Sequence, residues 1–374
     1  MMQDLAECRD LTSLQALIYM LLFLQVSANI SGCYSFTGIA LRSAIRMGLH
    51  RRLSHSQLTP IEDEQRRRAF YVIRQMDAYI SAILGFPIML SDADIDQPLP
   101  TEVDDEYITK EAILTPPPGT PSFFQAFNAH STLMDILGKV IKHIYPIKGM
   151  EERVMKKTDG TETTRATYSI NYGRIREIEQ DLQDWYDRLP AHWRPSNDGP
   201  IEVIRYAPHP RSYGCCEPRE VLGLTTVDRV RTLLRFSYAH VQMMLYRPFL
   251  HYASPRLSAG KEVDERCYAC AAAAVTVSRN IVHIGIEIQK QPVLVGPYWF
   301  ALYTQFFAII SLVFYVLENP DKPGATEVLS DARAGGDVVA RLAHRSIAAD
   351  RINHALSVRT EYPNPFHFLY ANLL

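Results

Sequence analysis

The chain has 374 residues, 47% of them hydrophobic and 21% charged, which is the balance of a globular protein long enough for one large domain or two. Its 39 basic and 41 acidic side chains leave a formal charge of −2, excluding a strong overall field for DNA or an acidic membrane. Six cysteines (Cys8, Cys33, Cys215, Cys216, Cys267 and Cys270) are too few and too scattered for a disulfide scaffold, and no secretory signal opens the chain, so a reducing compartment is expected.

Residues 11–30 predict a buried helix. The apolar run from Ala16 to Leu24 is far below the roughly 20 residues a membrane span needs, and Gln15, Gln25 and Asn29 interrupt it. The next stretch, 36–50, is apolar on almost every side except for a stripe of Arg42 and Arg46, the pattern of a helix inside a bundle. A long helix follows over 59–87. Thr59-Pro60 supplies its cap and first position, and Glu62, Asp63 and Glu64 each precede one of Arg66, Arg67 and Arg68 by four residues. Ala69, Ile73, Met76, Ile80 and Ile83 then make one core-facing stripe. Asp77 sits at its flank. A buried carboxylate without a partner is costly, so an arginine neighbour is expected, with Arg42 or Arg46 the first candidates for a structural ion pair.

Beyond 100 the chain is acidic and then proline-rich to 121, which predicts a surface loop. A helix resumes at Ser122 and runs to about Tyr145. The stretch 151–167 is charged, rich in threonine and poor in large apolar groups, so it reads as a loop insert near 150–167. Ile175, Ile178, Leu182, Trp185 and Leu189 mark a helix stopped by Pro190, and 191–222 reads as irregular. Val227, Val230, Leu234, Ser237, Val241 and Met244 mark another, broken by Pro248. Val263, Cys267, Cys270, Ala274, Val277, Ile281, Ile284 and Ile288 keep heptad spacing, and 297–317 is long and apolar enough to span a membrane. Thr304, Gln305 and Ser311 interrupt that last stretch and no basic cluster flanks it, which favours a bundle core over a membrane. One more helix is expected within 331–356. The whole predicts an all-α fold, with one large domain over 1–320 and a helical tail over 321–374.

Chemistry-bearing patterns are weak. Cys267-x-x-Cys270 has half a zinc spacing but no second pair, and both sulfurs fall on an apolar helix face. Asp92, Asp94 and Asp96 resemble the start of a calcium loop, yet Gln97-Pro98 replaces the required glycine. Asp104-Asp105-Glu106 could suggest a terpenoid-lyase type of enzyme, but the carboxylates have no partner motif. His50 and His55 lie beside serines with no nucleophile-elbow frame, and the basic groups 50–52 and 65–68 read as a polar helix end and a solvated face.

The order of motifs resembles the middle homology region of fungal zinc-cluster transcription factors. The resemblance rests on GIALRSAIRMGLH at 38–50, including Gly48, Leu49 and His50, followed by Glu64 ahead of Arg66, Arg67 and Arg68. Met76-Asp77, Gly85-x-Pro87 and SDADIDQPLP at 91–100 continue it, as do Leu-x-x-Trp-x-x-x-Leu-Pro at 182–190 and LYRPFLH at 245–251 with Arg247 and Pro248. Phe70, Tyr71, Ala78 and Phe86 depart from the tryptophan and arginines usual in the family. The resemblance implies an all-α regulatory or effector domain in a nuclear transcription regulator, one that controls a metabolic or secondary-metabolite gene cluster. It implies no catalytic residue and no metal in this chain. Zinc enters only with a six-cysteine cluster upstream, and DNA is reached through that cluster or through a partner protein. A homo- or heterodimer and a small-molecule effector are the other implied partners, and a membrane is not among them.

Overall fold

The computed structural model describes residues 8–52, 58–145, 151–158, 161–168, 170–194, 226–256, 258, 263–290 and 299–357. The starts of the helices read over 59–87 and from Ser122 fall where the sequence puts them, whereas the helix expected over 36–50 begins at Ile30, inside the stretch read as the first helix, and ends at Arg46. Asp10 accepts the Ser13 N–H to open α1 (Leu11–Val26), and Asn29 accepts the Gly32 N–H to open α2 (Ile30–Arg46). Thr59 and Glu62 form a reciprocal capping box, with Pro60 at the first position of α3 (Pro60–Leu84). Gly85 ends α3 at φ 71°, a left-handed conformation that a residue with a Cβ adopts only at a cost. Ser122 opens α4 (Phe123–Ile144).

The insert differs from the expected loop. It forms an antiparallel hairpin of β1 (Glu151–Thr158) and β2 (Thr161–Tyr168), paired from Glu151 with Tyr168 to Thr158 with Thr161. The sequence carried the signal: threonine recurs along the second strand, the first holds Val154 and Thr158, and Asp159-Gly160 stands between them, the pair that two-residue hairpins favour. The fold remains all-α around this hairpin. It continues with α5 (Tyr172–Arg188), α6 (Thr226–Tyr246), the single turn α7 (Phe249–Tyr252), α8 (Glu265–Lys290), α9 (Trp299–Glu318), α10 (Ala325–Ala343) and α11 (Ile347–Ser357). Ser54, His55, Ser56, Cys215, Cys216, most of the irregular stretch 191–222 and the end of the tail from 358 lie outside the described residues.

Two hydrophobic cores form, and α3 is the wall between them. Ile73, Met76 and Ile80 face the first core with Leu14, Leu17 and Leu21 of α1 and Cys33, Leu41 and Ala44 of α2. Ala78, Tyr79 and Ala82 face the second, larger core built from α4 to α11. The single stripe read from the sequence is therefore one of two buried faces. The reverse holds for α1: Leu14, Leu17 and Leu21 are buried, whereas Tyr19 and Phe23 are 73% and 69% exposed, so the helix read as buried covers the core with one face.

Helix α9 is the axis of the larger core. By length and composition α8 and α9 could each cross a membrane, yet Phe300, Phe306, Ile309 and Leu312 of α9 are buried against other helices of the same chain. Close approach is secured by glycines: a Cβ on Gly335 of α10 would stand 3.0 Å from Ile309 and 3.1 Å from Val282. The tail packs onto this layer, burying Val328, Ala332 and Val339, and Arg351 donates to the Ala28 carbonyl at 2.8 Å, joining α11 to the α1–α2 turn.

Candidate functional site

The motif residues at the start of α3 form a clasp. Glu64, 2% exposed, accepts the Thr101 N–H at 2.9 Å and its hydroxyl at 3.0 Å, and receives Arg68 Nε at 3.2 Å and Arg67 at 3.4 Å. Arg67 also pairs with Asp63 at 2.6 Å. Arg68 reaches Asp105 and the Val103 carbonyl, and its guanidinium lies 3.5 Å over the Phe124 ring. Arg66 donates to the Met47 carbonyl at 2.8 Å, at the exit of α2. The arginines expected on a solvated face are thus engaged with the chain itself. Asp63 and Glu64 do take the residues four further on, while Glu62 serves the cap instead of Arg66.

The same clasp holds the turn after α2. Gly48 adopts φ 71°, which lets the chain reverse and places Leu49 fully inside the first core. The His50 carbonyl accepts the Asp96 and Gln97 N–H groups, both at 3.2 Å. Gln97 donates to the Leu49 carbonyl at 3.1 Å, and the Tyr71 hydroxyl donates to the Gln97 carbonyl at 2.7 Å. Segment 96–105 is therefore stitched to α2 and α3 by backbone groups that α-helical pairing would otherwise leave open.

Asp77 pairs with neither Arg42 nor Arg46. Arg42 is exposed, and Arg46 donates to the Cys8 carbonyl. The Asp77 carboxylate, 1% exposed, accepts the Met89 N–H at 3.0 Å and the Ser81 hydroxyl at 3.4 Å. Burial outweighs these bonds and the nearby Arg74 charge, so its pKa is pushed up to about 6. The physical reason lies in the turn: Gly85-x-Pro87 sends the chain back over the last turn of α3, and a returning N–H satisfies the acid before any distant arginine can. Pro87 adds its carbonyl as a second acceptor for Ser81 at 3.4 Å.

This returning loop is one wall of a cleft of about 1110 Å³ between α3, residues 85–92, α4 and α5. Arg74 bridges Asp92 of the loop and Asp135 of α4, Lys139 meets Asp181 of α5 at 2.6 Å, and Arg174 meets Glu177 at 2.6 Å. Gln75 donates to Ser131 at 2.7 Å. Ala78, Ile88, Met134, Ile141 and Ile178 supply apolar lining between these pairs. The cleft was not legible in the sequence, because its walls come from four separated elements.

The remaining candidates are absorbed into the fold. Asp104 accepts the Ser122 hydroxyl at 2.8 Å and the Phe123 N–H at 3.2 Å, supporting the start of α4, and Asp105 belongs to Arg68. Asp96 accepts the Arg52 N–H at 2.8 Å. Arg247 lies 4.9 Å over the Phe307 ring, and the Pro248 carbonyl receives the His251 N–H at 3.1 Å where α6 gives way to α7. Burial raises the thiol of Cys267 to about 12 and that of Cys270 to about 11, the behaviour of inert core thiols. Among the described residues no three His, Cys, Asp or Glu side chains group as metal ligands. Tyr79, which sequence reading passed over, lies within the larger core: its hydroxyl bonds His130 Nε2 at 2.7 Å and donates to Ser237 Oγ at 3.1 Å, and its ring packs on His240 and Phe300.

This all-α chain, with its motif residues turned to internal clasps, also matches a known family model. The fungal specific transcription factor domain matches residues 3–187, and the chain carries that domain. Among its relatives, "Activator of stress genes 1" of Saccharomyces cerevisiae is 35% identical over 363 residues, covering 95% of this chain and 33% of the relative. "Activator of stress genes protein 1" of Candida albicans is 34% identical over 322 residues, 83% of this chain and 30% of the relative. An "ABC-transporter-regulating transcription factor" of Aspergillus fumigatus is 28% identical over 337 residues, 88% of this chain and 32% of the relative. The chain thus spans about a third of the length of the curated relatives it matches. No solved structure matches it.

Proposed function

We propose that this chain is the regulatory part of a fungal transcription regulator that acts in the nucleus without catalytic chemistry of its own. The observation that carries the reading is the fungal specific transcription factor domain over residues 3–187, extended by stress-gene activators that align with 95% and 83% of the chain. DNA is reached through a six-cysteine zinc cluster elsewhere in the polypeptide or through a partner protein, as a homo- or heterodimer. The clasped segment 96–105 and the cleft beside it supply the surface on which a small-molecule effector or a partner sets activity. Stress genes and transporter genes, named for the relatives, are the target classes to examine first.

The test is to tether the full chain to an unrelated DNA-binding module and follow a reporter gene in fungal cells, with localisation of the fusion in parallel. A nuclear fusion that changes reporter output relative to the module alone supports the reading. Output equal to the module alone, or exclusion from the nucleus, overturns it. Sequencing the transcript from its true 5′ end then distinguishes the two routes to DNA.

A further inference from the structure

We propose that the cleft between α3, the 85–92 loop, α4 and α5 binds one uncharged, largely apolar small molecule. As an effector site it rests on the regulatory reading above; as a binding site it rests on the cleft alone. Three observations point to this ligand class.

Size comes first. At about 1110 Å³ the cleft is slightly larger than most small-molecule sites, which run to roughly 1,000 Å³, so it has room for a whole small molecule. Gly138 enlarges it from below, since a Cβ there would meet a single neighbour, the tip of Ile88, at 3.3 Å. Charge comes second. Arg74 is already held by Asp92 and Asp135, Lys139 by Asp181, and Arg174 by Glu177. Lys142 and Asp94 also line the cleft and are opposite in sign, so the lining is close to charge balance and offers an ion no net field, while a charged ligand placed at any of the pairs would strand a partner. A neutral molecule leaves all of them intact. The third is the lining between the pairs, where the half-buried Ile88 and Ile141 offer apolar contact that gains from excluding water, backed by the buried Met134 and Ile178.

The loop wall is also held in a defined position. Met89 N–H is bound by Asp77, Pro87 carbonyl by Ser81, and Asp92 by Arg74, so all three ties run to α3. The site is built before a ligand arrives, which lowers the ordering cost of binding.

The experiment uses the purified full chain with two fluorescent probes: Nile red, which is neutral, and 1-anilinonaphthalene-8-sulfonate, which is anionic. Nile red is expected to saturate at one equivalent. Gly138→Leu, which fills the cleft, and Ile141→Glu, which charges its partly exposed lining, should each weaken binding by about tenfold or more. A Tyr19→Ser/Phe23→Ser variant of the exposed α1 face should leave it unchanged. Two results overturn the proposal: undiminished Nile red binding in whichever cleft variant keeps the wild-type melting curve, or loss of binding in the α1 variant. Tighter binding of the anionic probe at the same site overturns the ligand class. Because this readout needs no transcription, a tethered chain that drives the reporter while failing to bind Nile red removes the cleft proposal and leaves the regulatory reading standing.

Discussion

At the scale of single residues, Asp77 and His240 show how burial sets charge in opposite senses. The native Asp77 carboxyl binds its proton more tightly than in the unfolded chain, since its pKa rises from 3.8 to about 6. Its contribution to stability is therefore complete below pH 3.8 and is lost as pH rises through 6. Asp77→Asn keeps an acceptor for the Met89 N–H and removes the titration. Denaturation curves across this range should show wild type losing stability relative to Asp77→Asn as pH rises, and parallel curves would reject the assignment. Asp77→Ala, which leaves the Met89 N–H without its partner, should cost about 1–3 kcal/mol at neutral pH.

His240 works the other way. It is 2% exposed, its Nδ1 lies 3.4 Å from the Thr304 hydroxyl, and burial with the Arg247 charge lowers its pKa from 6.5 to about 3. Its neutral form is favoured in the fold, so its contribution is present above pH 6.5 and is lost as pH falls toward 3. His240→Phe keeps an aromatic ring against Tyr79 and Phe300 and removes the titration. Thermal melts of this variant should decline less between pH 6.5 and 4 than those of wild type; an equal decline would assign the acid sensitivity elsewhere.

At the scale of elements, the decisive feature is the clasp from α3 to segment 96–105. Glu64 accepts both polar groups of Thr101 and two arginines, so one side chain joins a helix to a loop 37 residues away. Removing one partner from a buried ion pair typically costs about 3–5 kcal/mol, because the remaining charges are stranded. Glu64→Ala should approach that loss in chemical denaturation and should raise amide exchange in 97–103 beyond the global change. Exchange that rises uniformly over the chain would show that the clasp has no local role. The hairpin of β1 and β2 is an element of another kind, standing between α4 and α5 without altering the helical class.

At the scale of the whole molecule, α3 couples two cores that sequence periodicity presents as one. Phe70 is fully buried in the first core and Phe306 is 1% exposed in the second. Truncating either to alanine should cost about 3–5 kcal/mol. With α3 shared, both variants should lower the midpoint of the same single unfolding transition. Two separated transitions, each sensitive to one substitution, would show that the cores unfold independently. Packing at this scale also explains α9. Its apolar composition suits a membrane, but helices α6, α8, α10 and α11 surround it within one chain.

Local order was written plainly in the sequence. The capping box at Thr59 and Glu62, the stop at Gly85, the breaks at Pro190 and Pro248 and the core stripes of α5, α6 and α8 depend on neighbours within a few residues, so spacing alone reveals them. The hairpin signal at Asp159-Gly160 was equally local and was masked by its polar composition. The motif order also identified the family. Tertiary structure settled which groups meet across long separations: that Asp77 takes the Met89 N–H, that Glu64 holds Thr101, that α1 leaves Tyr19 and Phe23 uncovered, and that four elements enclose a cleft. Periodicity says which face of a helix is apolar. It does not say which distant backbone group will reach a buried charge first, because that depends on how each turn redirects the chain.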